Sequence, residues 1–101
     1  MVWRLKRTER AESDLFDIWA YIAADNPAAA DRQVTKLSDV FDATRDFPHS
    51  GRPTPEISPQ HRVLTCGSYL LVCHIDDEAQ TITLVRVLHG ARDWLRLFGE
   101  D

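Results

Sequence analysis

The run TITLVRVL, residues 81–88, restricts the possible folds more than any other part of this sequence. Strand alternation would put Ile82, Leu84, Arg86 and Leu88 on one face and Thr81, Thr83, Val85 and Val87 on the other. Apolar residues on both sides mark a central strand covered on both faces. A chain built round such a strand must supply neighbours at its edges and cover above and below. Arg86 is out of character there. A guanidinium inside a β-rich run costs free energy unless it is paired or reaches solvent. Arg86 therefore reports either an internal ion pair or an open, functional face. The run ends in a polar, basic turn from His89 to Asp93.

The remaining residues must complete that arrangement within one domain, 1–101. A chain of this length buries a core without disulfides or metals. The formal net charge is −4, and neither half is basic. Residues 1–51 hold 7 Lys/Arg against 9 Asp/Glu, and residues 52–101 hold 5 against 7. Gripping nucleic acid through its phosphates calls for a basic field, so independent nucleic-acid binding is disfavoured. No apolar run approaches the roughly 20 residues that span a bilayer, and MVWRLKRTER lacks the apolar core of a signal peptide. The expected location is cytoplasmic.

Taken in order, VWRLKR (2–7) alternates, with Trp3 and Leu5 opposite Arg4 and Lys6. It reads as a short edge strand whose charges discourage further pairing. Thr8 is placed to cap a helix running to about Ala24, with Ala11, Leu15, Ile18, Trp19 and Ile22 on its apolar stripe. Trp19 and Tyr21 are expected to pack in the core and at its edge. Asn26 and Pro27 suit an N-cap and a first helical position. The second helix spans 27 to about 46, with Ala30, Val34, Leu37 and Phe41 facing inward. A turn this short makes the two helices an antiparallel hairpin.

FPHSGRPTPEISPQ (47–60) reads as an ordered crossing loop, with Gly51-Arg52 turning in its middle. His61 to Cys66 and Tyr69 to Ile75 flank Gly67-Ser68 as a tight hairpin, with Cys66 opposite Tyr69. Cys73 then lies roughly 13 Å along the strand from that pair, too far for a disulfide. Both cysteines are expected as reduced, buried thiols. His49 and His61 have no metal-ligand spacing with each other or with an acid pair, so no metal or cofactor is implied. DDEAQ (76–80) turns the chain into the central strand, which completes a three-strand antiparallel meander. Residues 91–98 have the pattern of a short helix.

The expected architecture is α+β: a helical hairpin on a small antiparallel sheet, in the order β-α-α-β-β-β with a short C-terminal helix. Counting elements leaves the second face of the sheet uncovered, and an uncovered apolar face implies a partner.

Three segments carry a family resemblance: AESDLFDIWAYIAADNPAAA (11–30), FPHSGRPTPE (47–56) with its Pro-x-x-Gly-Arg loop, and Arg62 with Tyr69 followed by VRVLHGARD (85–93). In order and spacing they resemble the ParE branch of the RelE/ParE toxin superfamily, from bacterial type II toxin–antitoxin modules. The resemblance implies a RelE/ParE-like two-layer fold. It also implies a non-enzymatic toxin that traps the cleavage complex of DNA gyrase and is neutralised by a ParD-like antitoxin. Arg52, Arg86, His89 and Arg92 would contact the target. Leu64, Leu71, Leu84, Arg62 and Arg86 would meet the antitoxin. The sister branch consists of ribosome-dependent mRNA endonucleases, for which Arg52, Arg62, Arg86, His89 and Arg92 would be the candidate catalytic residues. That chemistry needs a general base, a general acid and cations at the scissile phosphate. No lysine follows Lys36, and Trp94 and Phe98 are the only aromatic residues after His89, so the set looks incomplete.

Overall fold

Thr8 and Asn26 fix where the helices begin. In the computed structural model, which describes residues 2–90 together with Asp93 and Trp94, the Thr8 hydroxyl accepts from the Ala11 amide at 3.0 Å and opens α1, Glu9–Ala23. The Asn26 side chain accepts from the Ala29 amide at 3.0 Å and opens α2, Pro27–Asp42, with Pro27 in the first turn. Each cap satisfies an amide that the first turn would otherwise leave without a partner. α2 gives way to a 3-10 turn, Ala43–Arg45. The strands are β1 (Arg4–Arg7), β2 (Arg52–Pro53), β3 (His61–Cys66), β4 (Tyr69–Asp76) and β5 (Thr81–His89). The helix expected over 91–98 falls, apart from Asp93 and Trp94, outside the described residues.

The sheet order is β1-β5-β4-β3-β2. The meander β3-β4-β5 is antiparallel as expected, and Cys66 stands opposite Tyr69. Gly67 takes the hairpin's first central position with φ +59°, the conformation that glycine adopts without steric cost. Two features differ from expectation. β1 lies parallel to β5, so the sheet is mixed rather than antiparallel. The loop 47–60 also contributes β2, where Arg52 pairs with Val63 and Pro53 with Arg62. Proline has no amide to donate and is tolerated at a sheet edge. Gly51 is buried because the loop backbone runs against β3: a Cβ there would lie 3.1 Å from Arg62 Cβ and from the Val63 carbonyl oxygen.

The main core lies between sheet and helices. It joins Ala11 and Leu15 of α1 and Leu37 and Phe41 of α2 to Cys66, Leu71, Cys73, Ile75, Ile82, Leu84 and Val87. Both cysteines are free and buried, and burial pushes the Cys73 thiol up to about 12. Strict alternation fails in β5. Val72 stands opposite Arg86 while Cys73 stands opposite Leu84, so Val85 is an extra residue, a β-bulge. The phase slips there. Leu84 and Val87 both enter the main core, whereas Val85 and Leu88 join the other face.

That other face is not the bare apolar surface expected. Val63, Val72 and Leu88 are buried on it, with Ile57, Leu70, Val85 and Trp94 packed against them. The proline-rich segment folds back through Thr54, whose amide donates to the His61 carbonyl and whose carbonyl accepts from Ile57. A segment without periodic pattern thus supplies the cover that counting helices and strands had missed.

Candidate functional site

β1 ends at Arg7, opposite Leu84, and leaves the next stretch of the β5 edge without a strand neighbour. The start of α1 takes its place. The Thr8 hydroxyl donates to the Val85 carbonyl at 2.8 Å. Asp14 Oδ2 accepts from the Val87 amide at 2.9 Å and from Arg86 Nε at 2.8 Å. Arg86 Nη2 reaches Asp14 Oδ1 at 3.4 Å, and Arg10 lies 3.6 Å from the same carboxylate. With side-chain exposures of 24% and 11%, Arg86 and Asp14 form a largely enclosed ion pair. The anomaly of the central strand is therefore resolved by an internal partner. Asp14 lies off the apolar stripe read for α1. Yet it stands three residues after Ala11 and four before Ile18, at the margin of the apolar stripe, and that spacing was the available signal.

The other predicted site residues do not converge. Arg62 Nη1 donates to the carbonyls of His49 at 3.0 Å and Gly51 at 2.7 Å, which ties the loop before β2 to β3. Arg52 is exposed, with no side-chain hydrogen bond or ion pair among the described residues. It lies on the cross-strand row Arg52, Val63, Val72, Arg86. Three strand spacings, about 14 Å, separate the backbones of Arg52 and Arg86. His89 ends β5 opposite Tyr69, with ring centroids 5.2 Å apart in an edge-to-face arrangement. Arg92 lies outside the described residues.

Leu71 and Leu84 have exposures of 0% and 1%. They sit beneath the helices and offer no surface to a partner, because β3–β5 present these positions to the main core. Leu64 is half-buried and lines a groove with Val40 and Ala43 at the end of α2 and with Gly51, Arg52 and Thr65.

Sequence reasoning missed a second groove, between α1 and the ends of β4 and β5. Asp17, Ile18, Tyr21, Tyr69, His89 and Asp93 line it. Burial, and then the nearby Tyr21, push the Tyr69 phenol above its ordinary range. Tyr21 was expected at the core edge but is 84% exposed. Phe16, 65% exposed, stacks on Trp19, whose indole N–H donates to Asp31 of α2 at 2.8 Å. The outer face of the helical hairpin thus carries aromatic surface. Among the described residues no group of three or more His, Cys, Asp or Glu side chains is placed to hold a metal, and no helix is long and apolar enough to cross a membrane.

Comparison with known proteins matches this chain to known toxins along most of its length. The family model described as the ParE toxin of the type II toxin–antitoxin system parDE matches residues 5–94. A curated protein of Sinorhizobium fredii named "Putative toxin Y4kP" is 34% identical over 91 residues, covering 90% of this chain and 92% of that protein. Among solved structures, the chromosomal ParDE toxin–antitoxin system from P. aeruginosa is similar with TM-score 0.73 and 22% identity, over 87% of this chain and 96% of that one. The RelBE2 toxin–antitoxin complex of Mycobacterium tuberculosis is similar with TM-score 0.68 and 22% identity, over 88% and 99%. The two structures share the fold of helical hairpin on mixed sheet, and the family match spans both the Asp14–Arg86 latch and the Arg62-tied loop. This chain belongs to the ParE toxin family of type II toxin–antitoxin systems.

Proposed function

We propose that this toxin acts by holding DNA gyrase in its cleaved complex with DNA, and that a ParD-like antitoxin keeps it silent. The observation that supports this over RNA cleavage is the dispersal of the basic side chains. Arg62 is engaged by two loop carbonyls and Arg86 by Asp14, and Arg52 stands apart at the far edge of the sheet. In-line cleavage of RNA needs cations and an acid–base pair converging on one phosphate, and these arginines do not converge. A protein that inhibits by contact needs only a complementary surface. Arg52 and His89, both exposed, are the target contacts in this reading, with Arg92.

The antitoxin would meet the exposed aromatic residues of α1, Phe16 and Tyr21, as an apolar helix does when it lies in a groove. It would also reach the groove at Leu64 beside Arg62, where the two-residue β2 leaves much of the outer edge of β3 open to an added strand. Purified, antitoxin-free protein incubated with gyrase and supercoiled DNA should give linear DNA that accumulates with dose. Unchanged supercoiling activity and no linear product would refute the gyrase reading.

One observation favours a second reading. His89 and Tyr69 are adjacent titratable groups in an open groove with Tyr21. In a ribosome-dependent endonuclease they would be the acid–base pair. Translating ribosomes incubated with the toxin would then yield cleaved mRNA, with cleavage lost in His89→Ala.

A further inference from the structure

Sequence spacing set His61 beside His49 and found no metal site, but sheet register gives His61 a different neighbour. His61 of β3 stands directly opposite His74 of β4. The Ile75 amide donates to the Gln60 carbonyl at 2.8 Å, which makes 61 and 74 a non-hydrogen-bonded pair, the kind in which side chains stand closest. Their ring centroids are 5.1 Å apart at an interplanar angle of 69°. Two imidazoles that share one ion at about 2.0–2.1 Å with a near-tetrahedral angle hold their centroids roughly 5 Å apart.

The contacts around His61 engage one of its ring nitrogens. Ser58 Oγ lies 2.6 Å from His61 Nδ1 and 3.3 Å from Gln60 Oε1, and it accepts from the Gln60 amide at 3.1 Å. With Nδ1 so engaged, Nε2 is the ring nitrogen left to ligate. An oxygen on the far ring nitrogen is the usual support of a ligating histidine. The His74 ring has no hydrogen bond or ion pair among the described residues. Both residues are half-buried. The row continues through Thr83 to Lys6, whose backbone is two strand spacings, about 10 Å, from His74.

We propose that His61 and His74 form a two-imidazole site for a borderline divalent transition ion, Zn(II) or Ni(II), which staples β3 to β4 with water completing the coordination shell. No third His, Cys, Asp or Glu joins the pair among the described residues, so the ion is exchangeable rather than a permanent part of the fold. Through Ser58 the site also reaches the segment that covers the second face of the sheet. Bound ion therefore stabilises the native state by mass action. Imidazole ligands select against Mg(II) and Ca(II).

The test is calorimetric titration of the untagged full chain with Ni(II), alongside thermal unfolding with and without the ion. One equivalent should bind and raise Tm, and Mg(II) should do neither. His61→Gln and His74→Gln should each abolish binding while far-UV circular dichroism stays native, and His49→Gln should leave it intact. Ser58→Ala, which keeps both ligands, should weaken binding about tenfold. Absence of binding to the folded wild type, or binding that survives both ligand substitutions, would overturn the proposal.

Discussion

Asp14 is the charged residue that ties α1 to the β5 edge. Its carboxylate closes the bare edge of β5 at the Val87 amide and neutralises Arg86. Removing one partner of an enclosed pair leaves the other charge and an amide without compensation. Asp14→Ala should therefore cost about 2–4 kcal/mol, read by urea unfolding. Asp14→Asn should cost less, since the amide oxygen still accepts from Val87. A loss below half a kcal/mol for Asp14→Ala would show that the latch is dispensable. The two arginines of the loop region should separate in the same assay. Arg62→Ala removes two hydrogen bonds to carbonyls and should cost about 1–3 kcal/mol. Arg52→Ala touches no partner and should stay within about 0.5 kcal/mol of wild type, yet lower the yield of trapped cleaved DNA if Arg52 contacts the target.

At the scale of elements, capping and periodicity carried most of the information. Thr8, Asn26 and Pro27 begin the helices where their side-chain chemistry requires, and of the stripe Ala30, Val34, Leu37 and Phe41 all are buried except the half-buried Val34. Phe41→Ala should cost about 3–5 kcal/mol, the loss typical of a large core side chain replaced by a cavity, measured as a shift in denaturant midpoint. Gly67→Ala should cost about 1–2 kcal/mol through backbone strain alone, since no atom lies within 4 Å of the added methyl. A larger loss would mean that the hairpin register had changed.

What the sequence hid at this scale has definite physical causes. One extra residue in a strand, Val85, conserves composition while reversing every later face, so alternation read through it misplaced Val87 and Leu88. Parallel pairing of β1 depends on where the chain returns after both helices, which no local pattern encodes. The proline-rich loop lacked any period, yet it supplies both β2 and the cover over Val63, Val72 and Leu88. The arginine cluster seemed coherent only because the sequence does not display partners. Asp14 and the carbonyls of His49 and Gly51 had already engaged two of its members.

For the whole molecule, these corrections change where an antitoxin can bind. With Leu71 and Leu84 inside the core and the second sheet face covered, the exposed large hydrophobic residues among those described are Phe16 and Tyr21 on the helical hairpin, with Val2 and Phe47 outside it. The double substitution Phe16→Ser with Tyr21→Ser should leave folding intact and weaken antitoxin binding at least tenfold by calorimetry. Unchanged affinity would place the antitoxin elsewhere, the Leu64 groove being the next surface to test. Overall charge agrees with a protein target: at −4 the chain has no basic field with which to hold nucleic acid by itself.

The decisive measurement is the gyrase cleavage assay with antitoxin-free protein. Linear DNA should rise with toxin dose, fall in Arg52→Ala and vanish when antitoxin is added. Intact supercoiling at every dose, with cleaved mRNA on translating ribosomes instead, would rule out gyrase trapping.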